Sequence, residues 1–250
     1  MEHRLPLITR LTLSAIGQSQ GGRVRAPIDP VAAWILQQQP DLHPVTAAQA
    51  AFTTIRARTL LVDRMLTDIG DLALQEGQRL VLWHLGSGFD ARWYRLVPRL
   101  SNIYTGVREV EEPGLLAIKN SFLEASPYAD HWKRVVRRAS PITKWSVEKR
   151  PGITPVVLME GLAGRMEQDD LDATLARVHE ATTECSVIFG LPGVGADDAS
   201  RWSVTRMRRR GWNVIEDARM GPRGRLLLAA GGEECPGTYP LRVVRMERRS

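Results

Sequence analysis

Cysteine and histidine are scarce in this chain, two of the first and five of the second in 250 residues. Cys185 and Cys235 lie far apart in unlike surroundings, which excludes a disulfide scaffold and a cysteine metal site. The expectation is a reducing, cytoplasmic setting and no metal. Long apolar runs are missing as well. None approaches the ~20 residues that span a bilayer. Met1 to Arg10, polar and interrupted by Pro6, does not read as a secretory signal. No repeat or low-complexity tract occurs. Acidic side chains are outnumbered, 28 against 34 lysines and arginines, for a net charge of +6. The excess is scattered in short clusters such as Arg137-Arg138 and Arg208 to Arg210, with no nucleic-acid module beside them. These read as solvated helix ends. Neither nucleic acid nor membrane is expected as a partner.

A hydrophobic share of 43% and a charged share of 25% are those of a folded globular chain, long enough for a sizeable core. Residues 1–75 read as a helical N-terminal cap. Asp29-Pro30 is an N-cap and first turn for Val31 to Gln39, and Thr46 opens a long helical pattern continuing to Leu72. From residue 76 to 250 the rhythm is that of one α/β unit. Short strands are expected at Arg79 to Leu85, Ile103 to Val110, Arg134 to Ala139, Thr154 to Met159 and Ser186 to Leu191. Helices fill intervals at Asp90 to Leu100, Pro113 to Ala125, Asp169 to Thr183 and Ala196 to Arg210. Uniformly apolar strands alternating with helices imply a doubly wound, mostly parallel sheet covered on both faces. Three last strands, Trp212 to Ala218, Arg225 to Ala230 and Leu241 to Met246, follow without helices and should form an antiparallel, hairpin-like ending. That makes seven strands or slightly more.

Gly86-Ser87-Gly88 closes the first strand and opens a helix. Glycines there allow positive φ and let backbone N–H groups meet a ligand. Glu111 stands at the end of the second strand, where an acid commonly accepts from ribose hydroxyls; it is preferred to Glu109. Phe89-Asp90 replaces the third glycine of a dinucleotide fingerprint, and an Asp there would repel a phosphate. A nucleoside carrying a cation and no phosphate fits, and S-adenosylmethionine is such a molecule.

The pattern Gly86-Ser-Gly88-Phe-Asp90-Ala-Arg92-Trp-Tyr94-Arg95-Leu96 resembles the turn of the leucine carboxyl methyltransferase family. Arg58-Thr59 with Asp63, Glu109 to Pro113 with Lys119, Glu160-Gly161-Leu162 and Gly211-Trp212 resemble further pieces of that family, in order. The resemblance covers roughly residues 45–215. It implies a class I, Rossmann-like methyltransferase fold and S-adenosylmethionine as cofactor, yielding S-adenosylhomocysteine. It implies that Arg58 pairs with the cofactor carboxylate, that Gly86, Ser87 and Gly88 face its amino-acid part, and that Asp90 lies near the ammonium or orients the turn. Glu111 would hold the ribose and Glu160 the sulfonium end. Asp63 would orient a helix or Arg58. The chain departs from the family at Glu111, where the family has Asp; at Ser140, where the third strand of the family ends in Asp; and at Arg165-Met166, where the family has Tyr and Leu.

The catalytic candidates are His131, Glu160 and Arg165. His84 reads as a core histidine and His179 as a helix-surface one. Arg92, Arg95, Arg165 and Arg201 are candidates to hold an anionic acceptor. Trp93, Trp132, Trp145 and Trp202 are candidates to line a pocket for a planar one, with Trp83 and Trp212 in the core. Few obvious bases favour an acceptor that is already acidic, a carboxylate, phenol or enol. The expected function is O-methylation of a small molecule in bacterial secondary metabolism, by a monomer or homodimer. The alternatives are methylation of a protein C-terminal carboxylate, or a degenerate member with a non-methylating or partner-binding role.

Overall fold

The computed structural model describes residues 12, 14–17, 29–42, 49–130, 135–148, 150–160, 166–182, 185–192, 204–220, 226–230 and 241–248. Residues 14–17 are helical, and two longer helices follow among the described residues, α1 (Pro30–Gln38) and α2 (Gln49–Gln75). Asp29 caps α1 as expected, its Oδ1 accepting from the Val31 and Ala32 N–H groups at 3.0 Å. α2 buries Ile55, Val62, Met65, Leu66, Ile69 and Ala73, a stripe at helical spacing.

The α/β part runs β1 (Arg79–Leu85), α3 (Arg92–Leu100), β2 (Tyr104–Glu111), α4 (Pro113–Ala125), β3 (Val135–Ala139), β4 (Ile153–Met159), α5 (Gln168–Ala181), β5 (Cys185–Pro192), α6 (Val204–Arg209), β6 (Asn213–Met220), β7 (Leu226–Ala230) and β8 (Leu241–Arg248). One eight-stranded sheet results, in the order β3-β2-β1-β4-β5-β8-β6-β7. The pairings among β1 to β5 are parallel and those of β8 with β5, β8 with β6, and β6 with β7 are antiparallel. The ending is therefore antiparallel but not a simple edge. β6 and β7 form the hairpin at the rim, and β8 returns to the gap between β5 and β6. Met246, wholly buried, shows why: β8 carries an apolar residue for the core. Of the helix expected over Ala196 to Arg210, residues 196–203 lie outside the described residues.

β3 departs from the expectation of uniformly apolar strands. Its sequence is VVRRA and its burial falls away after Val135, because it is the edge strand. Elsewhere the two sheet faces carry separate cores. One joins Leu82, Val107, Val156, Leu158 and Ile188 to α1 and α2; the other joins Val81, Trp83, Val157, Val187 and Met246 to Leu171, Leu175 and Val178 of α5. The N-terminal helices thus share a core with the sheet. The strand order reverses direction between β1 and β4, so their C-terminal ends flank the crevice where open α/β sheets bind ligands. The chain places Gly86 to Gly88 after one of these strands and Glu160 after the other.

Candidate active site

The turn after β1 holds Gly86 at φ +62° and Gly88 at φ +50°. Side chains other than glycine, and to a lesser degree Asn and Asp, resist this left-handed region. A Cβ built on Gly88 meets no atom of the described residues within 4 Å, so the turn is open to them on that side. Glu111 closes the turn from β2. Its Oε2 accepts the Gly88 N–H at 2.7 Å and its Oε1 the Glu112 N–H at 2.9 Å. The Gly86 N–H donates to the Val110 carbonyl, and the Ser140 N–H to the Glu111 carbonyl. Gly88, Glu111 and Ser140 are therefore neighbours.

Glu109 takes another role. It is buried against Lys119, whose Nζ also meets the Ser87 hydroxyl and the Asp90 carbonyl at 3.3 Å. Ser87, expected among the cofactor contacts, turns its hydroxyl to this lysine beneath the turn. Burial raises the Glu109 carboxyl above its ordinary value, and Lys119 opposes it.

Behind the turn lies a buried ion network. Arg92 bridges Asp63 at 2.5 Å, Asp90 at 3.1 Å and Glu160. Arg95 pairs with Asp29 and, at 3.3–3.4 Å, with Asp63 and Asp90. Arg58 donates to Glu160 at 2.8 Å, with the Thr59 hydroxyl 3.4 Å away. Among these pairs four carboxylates face three guanidiniums. Burial disfavours ionised Asp90, but Arg92 and Arg95 outweigh it and hold the carboxyl far below its ordinary value. The same contest, with Arg92 and Arg58, lowers Glu160. At Asp63 and Asp29 burial wins and raises the carboxyl. Arg92 Nη1 is buried without a hydrogen-bond partner among the described residues. Arg58 is the most exposed of the three arginines, at 15%.

Several expectations are corrected here. Arg92 and Arg95 do not await an acceptor; they are buried in the network. Asp63 orients them and makes no described pair with Arg58, which turns to Glu160. Trp93 is in the core, and Trp145 is buried against Trp83 with ring centroids 5.6 Å apart. His179 is half-buried, edge-on to Trp212 at 5.6 Å, rather than free on a helix surface. His131, Trp132, Gly161, Leu162, Arg165, Arg201 and Trp202 lie outside the described residues. Two participants were missed. Asp29 was seen only as a cap, yet its second oxygen meets Arg95 and the Ala91 N–H. Lys119 was noted in the family pattern without a role. A signal for Asp29 existed: Asp90, Arg92 and Arg95 put charges among buried residues and need partners.

His84, in β1 under the turn, is buried as expected. Burial lowers its imidazole to about 4, with Asp90 opposing and Arg92 and Lys119 assisting. The unfolded chain takes up this proton near 6.5 and the folded chain does not until about 4. Its contribution is thus complete above pH 6.5 and lost on acidification towards 4, by about 3 kcal/mol. Urea midpoints at pH 7 and 5 are expected to converge more closely in His84→Gln than in the parent; an equal acid loss in both would remove His84 as the cause.

The sequence model of one family, leucine carboxyl methyltransferase, matches residues 24–179. The chain belongs to the leucine carboxyl methyltransferase family. No curated protein matches it significantly. Similar solved structures include magnesium protoporphyrin IX methyltransferase from Synechocystis PCC 6803, 8% identical over 86% of this chain and 94% of that one, with a TM-score of 0.54. That likeness shows a methyltransferase fold. The glycopeptide N-methyltransferase MtfA, solved with S-adenosylmethionine, is 18% identical over 74% of this chain and 93% of that one, with a TM-score of 0.45. The leucine carboxyl methyltransferase match spans α1 to α5 and so includes the network, the glycine turn, Glu111 and Glu160.

Proposed function

We propose that the chain is an S-adenosylmethionine-dependent O-methyltransferase acting on a carboxylate or acidic hydroxyl of a small molecule. The observation that carries this is the convergence, at one crevice of a methyltransferase fold, of an open glycine turn and an excess of buried carboxylate. The fit to the cofactor rests on three features. No described residue fills the space over Gly88. Four carboxylates against three guanidiniums leave room for a cation. Arg92 Nη1 lacks an acceptor among the described residues, and Arg58 is the most exposed of the three network arginines.

When bound, S-adenosylmethionine supplies an electrophilic methyl group on a sulfonium cation. Arg58 would hold its carboxylate, the Gly86 and Gly88 backbone its amino-acid part, Glu111 the ribose diol, and Asp90 and Glu160 negative charge towards the cationic end. Lys119 holds the turn from below. The protein's task is proximity and alignment. The oxygen acceptor is supported by the family's name and by the burial of His84, the described histidine beside the turn. An acidic acceptor needs no base. The setting in secondary metabolism rests on the breadth of the family alone.

Calorimetric titration with S-adenosylmethionine and S-adenosylhomocysteine tests the reading, micromolar binding of both being the expected result. Arg58→Ala should weaken binding by about 1.5–3 kcal/mol; an unchanged affinity would take Arg58 out of the site. A second reading has its own observation. Arg58 and Glu160 satisfy each other, and Glu111 already accepts two backbone N–H groups. A degenerate member would keep these contacts and bind neither nucleoside.

A further inference from the structure

We propose a second site, for a phosphorylated small molecule, on the opposite flank of the sheet from the N-terminal helices, built by Arg108, Arg138 and Arg150. It does not depend on the methyltransferase reading.

The site begins where a helix is missing. The intervals from β1 to β2, β2 to β3 and β4 to β5 each hold a helix, but between β3 and β4 the described residues form only a 3-10 turn (Ile142–Lys144) and irregular chain. Val136 is accordingly 40% exposed. Strand register sets Trp83 beside Arg108, Arg108 beside Val136, and Val110 beside Arg138. Arg108 and Arg138, two residues apart in pleat from one another's partners, therefore share this face. The Arg138 guanidinium stands 5.6 Å from the centre of the Trp83 ring.

Donors outnumber acceptors here. Glu148 pairs with Arg138 and, at 3.4 Å, with Arg150. Arg108 has no carboxylate at pairing distance among the described residues, and its Nε is buried without a partner. Burial and the nearby Arg150 and Arg138 lower the Arg108 guanidinium, and Glu148 opposes them. An oxyanion relieves the like-charge crowding by pairing with the guanidiniums, of which those of Arg138 and Arg150 lie on side chains 42% and 50% exposed. Guanidinium forks match phosphate geometry closely.

Arg150 and its partner Glu148 line a cavity of 580 Å³ that continues past Val147, Pro151, Pro155 and Ala181. That is a size typical of small-molecule pockets. Gln78, Ile153 and Thr154 in its wall stand at the N-terminal ends of β1 and β4, the far end of the sheet from Gly86. The phosphoryl group would lie on the arginines and the body of the ligand in the cavity.

The test titrates the full chain with inorganic pyrophosphate against sodium chloride of equal ionic strength, following tryptophan fluorescence and Tm. A saturable change with pyrophosphate and none with chloride is expected. In Arg108→Gln/Arg150→Gln the affinity should fall at least tenfold, while Tm without pyrophosphate stays at or above the parent's because crowding is relieved. Arg138→Gln, at an exposed position, is a second variant with little risk to folding and should weaken binding severalfold. A response shared with chloride, or one that survives in the double variant, overturns the proposal. Citrate binding as well as pyrophosphate overturns the phosphate assignment.

Discussion

Arg92→Leu is expected to lose about 3–5 kcal/mol of stability, measured by urea unfolding at pH 7. The magnitude follows from what the guanidinium touches. Arg92 is 1% exposed and bridges Asp63, Asp90 and Glu160. Leucine fills much of the space but leaves three buried carboxylates with fewer partners. Burial penalises each of them, and Arg92 is the largest opposing influence at all three. Those carboxyls would then titrate higher, so the loss should shrink as pH falls and protonation removes the unpaired charge. A loss below 1 kcal/mol, constant from pH 7 to 5, would show that the network contributes little. Arg92→Lys should recover only part, since one ammonium cannot reproduce a fork that reaches three carboxylates.

Gly88→Asp is expected to abolish S-adenosylmethionine binding, more than a hundredfold by calorimetry, with Tm changed by only a few degrees. Asp tolerates positive φ better than most residues, and a Cβ at Gly88 meets no atom of the described residues within 4 Å. The fold therefore has room for the side chain. The ligand would not, because the new carboxylate occupies the open side of the turn and would stand beside the cofactor's own carboxylate. Full-strength binding in a folded Gly88→Asp protein would place the cofactor elsewhere.

Most of the architecture was legible because its signals are local. β1 and α4 fall on their expected bounds, and the Asp29 cap is made as the Asp-Pro pair predicts. The turn and Glu111 were legible because strand ends fix where backbone N–H groups and acids can meet. The tasks of the arginines were not. Arg92 and Arg95 sit in a polar-looking helix start, and only their partners on α2, before α1 and after β4 show that they are buried. Nor could spacing assign Arg58 to Glu160 across 102 residues.

By itself the sequence determined the element order, the parallel sheet with its antiparallel ending, the glycine turn and the family. Periodicity, capping residues and turn chemistry act over a few residues, and a local rule is enough to recover them. Only the tertiary structure decided that β8 lies between β5 and β6, that Asp29 belongs to the network behind the turn, and that Arg108 is crowded by Arg138 and Arg150. Those are pairings across long stretches of chain, set by which charges and apolar faces the fold brings out of water together.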